Sequence, residues 1–134
     1  MNGVEVMRAL LLAHAPLVAL VGDNIMAGTI PAGTPLPAVG IKEISRYGVG
    51  TVARAGATTL VTARIQVTAT SGSYPEMKDV LAATKLGPGA FTGTTAGVYV
   101  CSVLEDGVGP ELTDDAPGLN QQSRDYKVAY REPN

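Results

Sequence analysis

The stretch LVTARIQVTAT, residues 60–70, leaves little freedom in what this chain can fold into. Ala63, Ile65, Val67 and Ala69 alternate with Arg64, Gln66, Thr68 and Thr70. Period-two alternation over this length specifies a strand with one apolar and one polar face. Such a strand belongs in an antiparallel sheet covered on one side. In RIQVTATSGSYPEMKDV, residues 64–80, the period then changes to that of a helix. Ser73 with Glu76 three residues on forms a capping box, and Pro75 falls in the first turn, where no N–H partner is needed. Met77, Val80, Leu81 and Thr84 line one helix face, and Gly87 with Pro88 ends the helix.

The flanking segments fit around this unit. Val4, Met7, Leu10 and Leu11 form a helical stripe, with Asn2 as N-cap and Glu5 completing a capping box. HAPLVALVG restarts as a second short helix, with Pro16 in its first turn and Gly22 at its end. Ile25 to Gly28 reads as a short strand. Pro31, Gly33, Pro35 and Pro37 make an extended connector. AVGIKEIS, 38–45, is a strand in which Ile44 breaks the alternation, which predicts a bulge or a strand end. VYVCSVLE, 98–105, is a further strand with Cys101 on a face with Tyr99 and Val103. DGVGPELTDDAPGLNQQ reads as an acidic, turn-rich loop. SRDYKVAYR, 123–131, closes the chain as a strand in which Tyr126, Val128 and Tyr130 alternate with Lys127 and Arg131. The fold class is α+β: one domain over 1–134, with a mostly antiparallel sheet and helices on one face.

Chemistry is harder to find. His14 is the only histidine, so any Ser-His or Cys-His mechanism must use it, yet it sits at a helix end beside Pro16. Cys101 stands alone in a strand, as a small hydrophobe does, and a lone cysteine makes no intrachain disulfide or Cys-based zinc site. Glu105, Asp106, Glu111, Asp114 and Asp115 cluster without calcium-loop spacing. GPGAFTG lacks the Lys-Ser/Thr ending of a phosphate loop, and GVGTVARAG has no helix after it. A formal net charge of -2 offers no basic excess for indiscriminate nucleic-acid binding. ALLLAHAPLVALVG, interrupted by His14 and Pro16, is too short to span a membrane. No catalytic, cofactor-binding or metal residue emerges, and the expectation is a protein that is not an enzyme.

The order of segments carries more than any motif. VEVMRALLLAHAPLVALVGDNIMAGTIPAGTPLPAVGIKEIS, then ARIQV, the helix YPEMKDVLAATK and the closing DYKVAYR resemble the tail completion, or tail terminator, proteins of long-tailed bacteriophages. The resemblance covers nearly the whole chain. It implies a virion structural protein of the neck or tail, assembled in the host cytoplasm. Such a protein forms a homo-oligomeric ring, usually a hexamer, that caps the tail tube and stops its polymerisation. The ring joins the tube protein to the head-completion, or stopper, protein, with DNA passing through the lumen unread. It implies no cofactor, no metal and no membrane.

Rings need head-to-tail contacts, and long loops and exposed strand edges supply them. The Gly-rich segment 46–59 is the first candidate, with Arg46, Tyr47, Val49, Val52 and Arg54 as subunit-interface residues that order on contact. A mobile hairpin tip is the equal alternative. Three other functions stay open: a head-completion or tube protein of the same assembly, a small metal-assisted hydrolase using the acidic loop 105–115, and a ligand- or peptide-binding module.

Overall fold

The computed structural model describes residues 3–28, 30, 33–48, 58–86, 93–95, 98–114 and 119–133. Its centre is the predicted strand, which runs further than the alternation alone indicates: β3 spans Thr58–Ser71. Ala63, Ile65, Val67 and Ala69 are fully buried, while Arg64 is exposed, as period two requires. β2 (Ala38–Gly48) and β7 (Leu119–Pro133) flank β3, both antiparallel. In the register, Ala63 meets Val128, Ile65 meets Tyr126 and Val67 meets Arg124. The even-numbered residues of β7 therefore share the helix-facing side with the odd-numbered residues of β3.

β5 (Val98–Val108) pairs with the far edge of β7, and β4 (Gly93–Thr95) pairs with the start of β5. β1 (Ile25–Ala27) adds to β2 in parallel, the one parallel pairing among the described strands. The acidic segment after β5 is not a loop throughout. β6 (Leu112–Asp114) pairs with Gln121 to Leu119 on the same side of β7 as β5, and the Gly109 amide donates to the Ser123 carbonyl at 2.8 Å. β5 and β6 are thus one interrupted arm of a long hairpin with β7. Sequence reading missed this because Gly107, Gly109 and Pro110 look like loop residues, whereas here they interrupt a strand edge.

The helices cover one face. α1 (Gly3–Leu12) and α2 (Ala15–Val21) meet at 84° around His14. Val6, Met7 and Leu11 are fully buried, with Val4 and Leu10 packed at the margin, so the buried stripe is rotated from the predicted Val4/Leu10 line. Gly3 lets this helix start close to the sheet: a Cβ there would lie 3.1 Å from Ile65 Cδ1. His14 is the N-cap of α2 through its backbone, with no capping bond from its imidazole, and Gly22 ends the helix at φ 62°. No single described helix is long and apolar enough to cross a membrane.

α3 (Tyr74–Ala83) buries Met77, Val80 and Leu81 against β3 and β7. Its N-terminus departs from the expected capping box. Ser73 makes no side-chain cap; Ser71 donates instead to Glu76 Oε1 at 3.0 Å and accepts from the Ser73 amide at 3.2 Å. The last residue of β3 thus does the work assigned to the helix's own flank. The C-terminus ends at Thr84, before the predicted Gly87 and Pro88, which lie outside the described residues.

Candidate functional site

Three polar arrangements stand out. The first is internal. Arg124 is 7% exposed and reaches from β7 to the end of α3. Its Nε donates to Thr84 Oγ1 at 3.2 Å, its Nη2 to the Leu81 carbonyl at 3.3 Å, and its Nη1 to Glu105. Tyr126 donates to the Thr84 carbonyl at 2.6 Å. The last carbonyls of a helix have no partner within it and carry partial negative charge, so a guanidinium and a phenol here satisfy them well. Burial pushes the Tyr126 phenol above its ordinary value, which keeps it a neutral donor.

The second lies at the rim, where Lys78 meets Glu111 and donates to Gln122 Oε1 at 2.6 Å. Tyr74 donates to Glu111 at 2.7 Å, and the Lys78 ammonium stands 5.5 Å from the Tyr74 ring centre. Lys78, then Tyr74, hold the Glu111 carboxyl below its ordinary value.

The third is the face without helices. Thr68 and Ser123 hydroxyls are 2.8 Å apart, and Arg64 holds Asp125 at 2.7 Å and Asp106 at 3.6 Å, with Lys127 at 3.8 Å from Asp106. Towards the β1 end, the connector after β1 folds over this face. Ile30 and the Gly28 carbonyl press on Gly40, where a Cβ would lie 3.2 Å from each. A groove of about 320 Å³ opens beside it, lined by Lys42, Gln66, Thr70 and Leu112 among others.

These positions redistribute the acidic cluster. Glu105 faces the helices and pairs with Arg124, Asp106 faces the open side with Arg64 and Lys127, and Glu111 sits at the rim with Lys78. Asp114 falls on β6 and Asp115 lies outside the described residues. Among the described residues, no three His, Cys, Asp or Glu side chains group to hold a metal. Cys101 falls where the β5–β7 register shifts, between Val100 and Ser102. The shift puts Val100 and Val103 on the buried face and leaves Tyr99 50% exposed, so the predicted Tyr99–Cys101–Val103 face does not form.

The interface candidates divide. Val49, Val52 and Arg54 lie outside the described residues. Arg46 and Tyr47 are not loop residues but belong to β2, after the bulge predicted at Ile44 and found between Glu43 and Ser45. Arg46 turns to the helix side, where it meets Glu132 at 2.9 Å and Glu43 at 3.6 Å. Tyr47 turns to the open side and is 63% exposed. The sheet edges are the surface that sequence reasoning did not locate. Among the described residues, β2 has no strand outside it beyond Ile41, and β5 has none from Ser102 onward. Ile44 at 51%, Leu104 at 48% and Val108 at 46% exposure stand on these edges with Tyr47.

No protein-family model matches the chain, and no curated protein matches it in sequence. Its fold is similar to that of a chain in a solved structure described as the virion of a native gene transfer agent (GTA) particle. The TM-score is 0.64 at 16% identity, over 97% of this chain and 95% of that one. The α+β architecture is thus shared almost from end to end.

Proposed function

We propose that this protein is a structural subunit of a phage-like virion, and within it the ring that terminates the tail tube. The observation that carries the reading is the near-complete overlap of its fold with a chain of a gene transfer agent virion. The tail-terminator role rests on the order of segments along the chain, from the paired N-terminal helices to the closing strand. The surface chemistry is in keeping with assembly: ion pairs such as Arg46–Glu132, Arg64–Asp125 and Arg124–Glu105 tie strands of the chain to one another, and exposed apolar side chains stand on open strand edges. In this role the protein is not an enzyme and requires no cofactor. Its partners are further copies of itself, the tube protein and the head-completion protein.

The test is electron microscopy and mass photometry of the purified chain, alone and with tail tube protein. The expected result is a closed ring seated on tube ends, with tubes held at fixed length. A chain that stays monomeric at every concentration and with tubes present overturns the reading. A chain that polymerises alone into tubes makes it the tube protein instead.

A further inference from the structure

The two open edges match each other. Register shifts break both into short regular runs: on β2 the run after the bulge is Ser45–Gly48, and on β5 the run between two shifts is Ser102–Glu105. These runs share three rows of the sheet. Ser45 pairs with Arg64, Arg64 with Lys127 and Lys127 with Leu104. One row along, Arg46, Ala63, Val128 and Val103 align, and then Tyr47, Thr62, Ala129 and Ser102. The strand directions agree as well. Four successive antiparallel strands, β2, β3, β7 and β5, leave the two edges running in opposite directions.

We propose that the β5 edge of one copy pairs antiparallel with the β2 edge of the next, joining Ser102–Leu104 to Ser45–Tyr47 in one continuous sheet. The inference rests on the ring reading above and names its contact. The occupant is a second copy because each edge supplies three residues on the rows and in the direction the other needs. A head-to-tail contact repeats around an axis, and it closes a ring when its rotation divides a full turn, whereas a rotation that does not close builds an open filament. The side chains are complementary in that register. Tyr47 of one copy lies across from Ser102 and diagonal to Leu104 of its neighbour, which covers two side chains that are 63% and 48% exposed in the single chain. On the helix side Arg46 lies across from Val103 and diagonal to Glu105, at about 7–8 Å between backbones, within reach of an ion pair. The exposed Tyr47 and Leu104 are side chains that a paired edge would cover.

The test is disulfide trapping. Tyr47→Cys with Ser102→Cys, in a Cys101→Ala background, is oxidised under the conditions that assemble the chain. The expected result is a ladder of linked copies ending at the ring's own number. Tyr47→Cys with Val108→Cys, several residues away along β5, gives none. The unmodified chain supplies a second readout: amide exchange within 45–47 and 102–104 slows at least about tenfold on assembly. Closed rings that neither cross-link nor gain protection at these edges overturn the edge pairing and leave the ring reading standing. Linked open chains without closure support the pairing and overturn the ring. Absence of any oligomer overturns both.

Discussion

Ile65 and Gln66 are neighbours on one strand, yet Ile65 is fully buried under the helices and Gln66 lines an open groove. The same contrast runs along the whole of β3 and β7. On the helix side, apolar side chains from α1, α2, α3 and five strands form one cluster, into which Arg124 and Tyr126 reach to hold the end of α3. On the other side the side chains are polar and pair across strands: Thr68 with Ser123, Arg64 with Asp125. One face holds the fold by exclusion of water. The other is hydrated and adds little to stability, so its chemistry is available for other purposes.

Substitutions on the two faces test this division. The largest effect belongs to Ile65→Ala, which leaves a cavity between the sheet and Gly3 and costs about 2–5 kcal/mol in urea or thermal unfolding. A loss similar in size for Thr68→Ala would break the comparison. Next comes Arg124→Ala, which removes the donors to Thr84 Oγ1 and the Leu81 carbonyl and leaves Glu105 unpartnered by it; a loss of about 1–3 kcal/mol is expected. Hydrogen exchange sharpens that result, because protection should fall first at the C-terminal turn of α3. Gly40→Ala is the exception on the open face. Its new methyl meets the Gly28 carbonyl and Ile30, so about 1 kcal/mol is lost and the connector shifts, visible as changed amide resonances at Gly28 and Ile30.

The smallest effect is electrostatic and lies at the rim. Glu111 is held below its ordinary value in the folded chain, so the stability it adds is present above the unfolded carboxylate value, about pH 4.3. That contribution is lost as pH falls through the depressed folded value. Lys78 is held above its ordinary value, chiefly by its hydrogen bond to Glu111, so its contribution is lost only as pH rises through that raised value. In an NMR titration, Lys78→Met should move the Glu111 midpoint upward while barely moving the midpoint of thermal unfolding. An unchanged Glu111 midpoint would remove the pairing.

Much of this was legible along the chain. Alternation over 60–70 located the central strand and both of its faces, because a strand puts successive side chains on opposite sides whatever its neighbours are. Pro16 and Gly22 bounded α2 because a missing donor and a positive φ act locally. Ile44 marked its bulge because one extra residue breaks alternation wherever it falls. The failures share a different cause. The cap of α3 came from Ser71, β6 came out of an apparent loop, and a register shift at Cys101 put Tyr99 and Val103 on different faces. Each depends on a partner strand or on a side chain outside the local pattern.

The residues by themselves determined the α+β class, the buried faces of β3 and β7 and the bounds of α2, because local periodicity and backbone restriction decide these. Only the tertiary structure decided which strands stand at the edges, that Arg46 and Tyr47 sit on one of them, and that Val103 and Ser102 lie on the same rows at the other. An edge is defined by the absence of a neighbour, and no residue carries that information in its own side chain.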